Sequence, residues 1–227
     1  MIRLEPAALP LLDLRLTALA LRGQPVLHDI QLQLQRGETL ALLGPSGIGK
    51  TSLLRVIAGL NPDFEGHCHL VGSCAVVFQE PTLLPWLDVL RNICVPTGAT
   101  PTQARNALEE VGLAARERDY PDQLSLGQQR RLALARAFSV RPDLLLLDEP
   151  FVSLDAETAE EMMQLFARIK TDHGFSTILV THVEAEARKL ASRIVTLGGS
   201  PARVVGDVQN SGAYFQSSAS GVTSSRS

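Results

Sequence analysis

The order of apolar and polar positions divides this chain into stretches of different kinds. Leu12, Leu14 and Leu16 alternate with more polar neighbours, and Ile30, Leu32 and Leu34 repeat the pattern after Arg22-Gly23-Gln24-Pro25. A period of two on either side of a turn predicts two half-buried antiparallel strands. Gly37-Glu38 then leads into Thr39-Leu40-Ala41-Leu42-Leu43, where the alternation stops and the run is apolar. Cys74-Ala75-Val76-Val77-Phe78, Leu144-Leu145-Leu146-Leu147 and Ser176-Thr177-Ile178-Leu179-Val180-Thr181 have the same character. Such runs fit buried strands, and Leu144 to Leu147 fits a central parallel strand covered on both faces. The helical stretch beginning at Ser52 is expected to run to about Leu60 and stop at Asn61-Pro62, because proline restricts the residue before it. Gly66 to Gly72 reads as a short strand pair.

From Glu80 to about Val140 the character changes to loop and helix, punctuated by Pro81, Pro85, Pro96 and Pro101. Thr100-Pro101-Thr102-Gln103 carries a capping box with proline at the first helical position, and Gly112 is placed to end that helix. Ser125 and Gln128 form a second capping box ahead of the helical run Arg130 to Ser139. That glycine-containing tip reads either as a plain helix cap or as an anion-receiving helix end. Ile194 to Leu197 and Ala202 to Val205 are the last apolar stretches, and Asn210 to Ser227 is serine-rich with little to bury, so disorder is expected there. The class is α/β: a mainly parallel sheet, an N-terminal antiparallel β subdomain and a helical subdomain inserted at about residues 80–140, all within 1–209.

Candidate chemistry is concentrated where apolar runs end. Gly44-Pro45-Ser46-Gly47-Ile48-Gly49-Lys50-Thr51 follows the strand at 39–43 and precedes a helix, the context that a phosphate-binding P-loop requires. Its glycines let backbone amides curl around a polyphosphate, and the helix turns unpaired N–H groups toward the anion. Lys50 would then reach the β and γ phosphates and the Thr51 hydroxyl would take a place on Mg²⁺. Asp148 and Glu149 close the run at 144–147, and His182 closes the one at 176–181. Ligands of open α/β sheets sit at the carboxyl ends of strands, so these residues should emerge beside the glycine loop. That would place a metal-holding carboxylate together with a candidate base.

Composition narrows the rest. At 227 residues the chain has room for one α/β domain, or a core with one small subdomain. Hydrophobic residues at 45%, charged residues at 20% and a net charge of −3 give no electrostatic case for nucleic acid. No apolar run approaches the roughly eighteen residues of a membrane span, and the N-terminus lacks a signal-peptide pattern, so a cytoplasmic location is expected. Cys68, Cys74 and Cys94 are an odd count that suits reduced thiols. His67-Cys68-His69 with Cys74 is a weak metal candidate, since alternate strand residues face opposite sides and no paired C-x-x-C completes a set.

Taken together, residues of about Leu12 to Val205 resemble the nucleotide-binding subunit of an ATP-binding cassette transporter. Gly44 to Thr51 matches Walker A; Gln79 the Q-loop; Ser125, Gly127 and Gln128 the signature motif; Leu144 to Asp148 Walker B; Ser153-Leu154-Asp155 the D-loop; and His182 the switch histidine. The resemblance implies ATP and Mg²⁺ as cofactors. ATP would contact Gly44, Pro45, Ser46, Gly47, Ile48, Gly49, Lys50, Thr51 and Ser52, with Ser125, Gly127, Gln128 and Asp155 also contributing. Two subunits, identical or closely homologous, would sandwich two ATP molecules head to tail, so that the signature residues of one complete the P-loop site of the other. Thr51, Asp148 and Gln79 would serve the metal, Glu149 would polarise the attacking water, and Lys50, Gln79 and His182 would attend the γ phosphate. Transmembrane permease subunits, and indirectly a solute-binding protein, are the other implied partners. The subunit would then lie on the cytoplasmic face of the inner membrane.

Phe78 to Val89, with Leu84-Pro85-Trp86 after the Q-loop, and Ser200 to Val205 look like the subgroup that serves nitrate, sulfonate and taurine importers. Trp86 reads either as a hydrophobic anchor within the subdomain or as a contact with the transporter. The sequence departs from the family pattern in three places. Leu126 stands where glycine usually follows the signature serine, Leu21 where an aromatic usually stacks on adenine, and the span from Lys50 to Gln79 is short. Leu126 and Leu21 motivate an alternative, a regulatory subunit that binds ATP but turns it over slowly. A soluble cassette ATPase outside transport is another, although neither a heptad run nor an internal repeat supports it.

Overall fold

The computed structural model describes residues 9–211. The two alternating stretches are strands β1, Leu12–Leu21, and β2, Gln24–Leu34, paired antiparallel with Leu14 opposite Leu32 and Leu16 opposite Ile30. Leu12, Leu14 and Leu16 are buried while Arg15 and Thr17 face outward, as period two requires. The next buried residue is Leu19, because the pairing slips past Leu16 and again past Leu19 and shifts the inward face. Beyond the P-loop helix the chain returns as a single strand, β4, Glu65–Leu70, which pairs with β1 to give the order β2-β1-β4. The expected strand pair at 66–72 is therefore one strand whose partner is distant in sequence. Gly66 is what lets it approach: a Cβ there would lie 2.0 Å from the Arg15 carbonyl oxygen. Along β4, Cys68 packs toward the core while His67 and His69 are exposed.

The apolar runs form the second sheet. It comprises β3 (Thr39–Leu43), β5 (Cys74–Val77), β6 (Leu144–Asp148), β7 (Ser176–Thr181), β8 (Arg193–Gly198) and β9 (Arg203–Gln209). Their order is β5-β6-β7-β3-β8-β9, parallel throughout except that β9 runs antiparallel to β8. Strand β6 shows why its sequence does not alternate. Leu144 and Leu146 face a core shared with β1, β2 and helix α1, Lys50–Ile57, whereas Leu145 and Leu147 face the helical side. Register brings the chemistry to one edge, with Leu43 opposite Thr181, Asp148 opposite Val180 and Val77 opposite Leu147.

Helix α1 ends earlier than Asn61-Pro62. Gly59, at φ 70°, donates to the Val56 carbonyl, and Leu60 donates to that of Arg55. This is a Schellman stop, which satisfies carbonyls that proline alone would leave bare.

The inserted segment carries α2 (Val89–Thr97), α3 (Pro101–Glu110) and α4 (Leu126–Phe138), with single 3₁₀ turns at 114–116 and 121–123. Both expected capping boxes form, at Thr100/Gln103 and Ser125/Gln128, and Gly112 closes α3. Asn92, fully buried in α2, accepts from Leu84 N–H and donates to the carbonyls of Leu84, Leu87 and Asp88. The loop it pins holds Trp86 at 70% exposure, so Trp86 is not an anchor of this subdomain. Sequence reading passed over α5, Ala156–His173, although the signals were present. Asp155 caps it by accepting from Thr158, Gly174 ends it, and Met162, Leu165, Phe166 and Ile169 keep helical spacing toward the core. The short α6, Glu184–Leu190, follows His182. Asn210 donates to the carbonyls of Arg188 and Ala191, and residues 212–227 of the serine-rich tail lie outside the described residues.

Candidate active site

The loop between β3 and α1 is built on three glycines with positive φ, Gly44 at 159°, Gly47 at 77° and Gly49 at 110°. Gly49 has no freedom to become anything larger, since a Cβ would stand 2.7 Å from Leu27 Cδ2 in the buried floor beneath the loop. It is also the N-cap of α1, where no side chain caps the helix and the first turn has no acid. The first-turn amides are thus left for an external acceptor, which is the donor set a phosphate chain fits. Lys50 is almost fully buried, donating from Nζ to the carbonyls of Gly44 at 2.8 Å and Pro45 at 2.9 Å.

The strand ends supply the rest. Thr51 Oγ1 donates to Asp148 Oδ1 at 3.0 Å, joining the first turn of α1 to the last residue of β6. Burial raises the Asp148 carboxyl above its ordinary range and the neighbouring Glu149 charge adds to this, against the lowering effect of the Thr51 hydroxyl. Two hard oxygen donors so placed fit Mg²⁺. Glu149 lies in left-handed backbone at φ 47°, uncommon outside glycine, while its N–H still pairs with the Val180 carbonyl of β7. That geometry brings Glu149 Oε1 within 3.5 Å of Lys50 Nζ and Oε2 within 3.3 Å of His182 Nδ1.

One chain therefore brings together Gly44 to Thr51, Asp148, Glu149 and His182. Gln79 is exposed just beyond β5, at the same sheet edge. Ser125, Gly127 and Gln128 lie at the start of α4 in the inserted segment, where Ser125 and Gln128 cap each other reciprocally. Leu126 is 41% exposed there, and Leu21 is exposed at the end of β1. Asp155 is tied to Thr158 through both its backbone and hydroxyl. Sequence reading missed Glu186. Its carboxylate accepts from Thr181 Oγ1, which also takes the Val183 N–H, so the residues flanking His182 are fastened to one hydroxyl. Burial raises the Glu186 carboxyl, the Thr181 hydrogen bond opposes that, and the charge of His182 lowers it further. Glu184 and Glu186 look alike in sequence, and only packing turns the second one inward.

Fold and site together define a P-loop protein of the kind that hydrolyses nucleoside triphosphates. Residues 27–152 match the family model described as ABC transporter. Over 211 residues the chain is 42% identical to the aliphatic sulfonates import ATP-binding protein SsuB 2 of Burkholderia cenocepacia (strain HI2424), spanning 88% of this chain and 78% of that protein. It is 45% identical over 182 residues to SsuB 1 of Rhodococcus jostii (strain RHA1), spanning 78% and 74%. A solved dimeric, post-hydrolysis state of the ATP-binding cassette MJ0796, bound to ADP and Pi, aligns at TM-score 0.75 and 27% identity over 87% of this chain and 98% of that one. The chain belongs to the ABC transporter family. Within it, the protein is an ATP-binding subunit that hydrolyses ATP.

Proposed function

We propose that this subunit drives import of an aliphatic sulfonate, working as one of two cassettes bound to a membrane permease. The relatives' names support the substrate class. The ATPase chemistry rests on one observation, that Glu149 is held between Lys50 and His182 beside the Thr51–Asp148 pair. Gly44 to Ser52 receive the phosphates, and Lys50 neutralises charge that grows toward the leaving group. Thr51 and Asp148, with Gln79, would hold Mg²⁺, which supplies further charge neutralisation when bound. Glu149 orients and polarises water, and His182 steadies the γ phosphate from the far side.

Ser125, Gly127 and Gln128 point this helix end at the nucleotide of a second cassette, with Asp155 alongside. The place of α4, packed against α2 and α3 of the inserted segment, supports that reading, as does the dimeric state of MJ0796. Among the described residues no helix is long and apolar enough to cross a membrane, so attachment to the bilayer is assigned to permease contacts. The exposed Trp86 is one such contact. The test is ATPase activity of the purified complex with its permease and solute-binding protein. An alkanesulfonate should stimulate turnover and an unrelated solute should not; equal rates with and without sulfonate would remove the substrate assignment.

A further inference from the structure

Helix α4 carries the signature residues at one end and two inward-facing arginines along its length. Arg136 Nη1 donates to the Thr82 carbonyl at 3.0 Å, and Nη2 donates to the Pro81 carbonyl at 3.0 Å and to Thr82 Oγ1 at 3.1 Å. None of these acceptors is a carboxylate, and burial lowers the guanidinium pKa, so the cation is held for the geometry of its fork. Thr82 needs holding. A β-branched residue at φ 46° is a genuine outlier, and such strain persists only where the surroundings over-determine it.

Apart from Arg130, the side chains lining the underside of this segment are apolar among the described residues. Val77, Phe78 and Pro81 face Ala133 and Leu134 of α4 across a crevice of about 10 Å³, room for a single water at most. Among the described residues, the Arg136 fork is the side-chain hydrogen-bonded link from α4 to Pro81 and Thr82, just after Gln79. Farther toward the signature end, the buried Arg130 donates from Nη1 to the Pro150 carbonyl at 2.6 Å, next to Glu149. Its Nε has no partner among the described residues, so that one bond fixes it. One helix thereby grips the segments that follow both Gln79 and Glu149.

We propose that Arg136 is a positioning residue, which fixes Pro81 and Thr82 to α4 so that engagement of Ser125–Gln128 by the facing cassette's nucleotide moves the nearby Gln79. The proposal rests on the two-cassette reading above. It is tested in the assembled transporter by comparing Arg136→Ala, Gln79→Ala and the double variant, with Arg136→Lys keeping the charge but not the fork. Arg136→Ala is expected to lower kcat by about ten- to a hundredfold with KM for ATP nearly unchanged. The double variant should be no slower than Gln79→Ala alone, because both changes disable one unit. Arg136→Lys should fall between wild type and alanine, and it carries the same cycle should the alanine variant not fold. Losses that multiply in the double variant, measured where wild-type ATPase is intact, overturn the role of Arg136 while leaving the nucleotide reading standing.

Discussion

Glu149 Oε2 lies 3.3 Å from His182 Nδ1, although the two residues leave different strands of the sheet. The contact follows from parallel register, which sets Asp148 beside Val180, and from the left-handed turn at Glu149. Replacing Glu149 by Gln keeps the shape and removes the charge that, in the proposed mechanism, polarises water. Steady-state ATPase of the assembled complex should drop by about 10²- to 10³-fold with ATP binding retained. Unchanged turnover would refute the assignment.

Leu126 occupies the exposed first turn of α4, in the cap that faces the partner's nucleotide under the proposed pairing. Leu126→Gly removes bulk from that cap and should raise ATPase activity several-fold. A very large gain would mean that the natural subunit is chiefly regulatory, whereas no change would show that the side chain clears the γ phosphate.

Gly127 is limited by its own chain as well as, under the proposed pairing, by the partner's nucleotide. A Cβ there would meet Thr158 Cγ2 of α5 at 3.0 Å. Alanine gains about 0.5–1 kcal/mol over glycine inside a helix, while forcing an extra methyl into packed surroundings costs about 1–3 kcal/mol. Gly127→Ala should therefore lower the melting temperature slightly, and adding Thr158→Ser, which deletes the obstructing methyl, should reverse the loss. A double variant no more stable than Gly127→Ala would show that the clash is relieved by other means.

Trp86 and Asn92 separate surface from scaffold. Trp86→Ala should leave folding and ATP binding of the isolated subunit unchanged while weakening its co-purification with the permease. Asn92→Ala strands buried carbonyls and an amide and should destabilise the chain by about 1–3 kcal/mol, visible in denaturant unfolding. Intact assembly of the Trp86 variant would move the permease contact elsewhere.

Lys170 introduces a pH dependence remote from the site. It is buried in α5, donating to the carbonyls of Gly37 and Phe175, and burial brings its pKa down from 10.5 to about 8. Between those values the unfolded chain holds a proton that the folded chain has released. The Lys170 contribution to stability therefore rises with pH through that window. Unfolding free energies measured from pH 8 to 10 should show this positive slope, and Lys170→Met should lose it.

Much of the site was legible in advance because its chemistry is bound to local pattern. A glycine loop between an apolar strand and a helix, and acids at the end of a four-leucine run, announce themselves within a few residues. What escaped depended on distant partners. Strand β4 looked like a hairpin because its true neighbour, β1, lies some fifty residues earlier in the chain, at Leu14 opposite Cys68. Trp86 was ambiguous because exposure is set by Asn92 fastening the loop beneath it. Glu186 and Arg136 were silent because a glutamate or arginine on a helix has no sequence mark for whether it turns inward.

The sequence by itself determined which residues could handle phosphate and metal, and that apolar runs end at Leu43, Leu147 and Thr181. Hydrophobic period and residue chemistry are local properties, and they suffice for that. Only the tertiary structure decided that Glu149 meets both Lys50 and His182, that α4 packs against α2 and α3, and that Arg136 grips the segment after Gln79. Those relations come from strand order, register and helix packing, where free energy is shared among groups far apart in the chain.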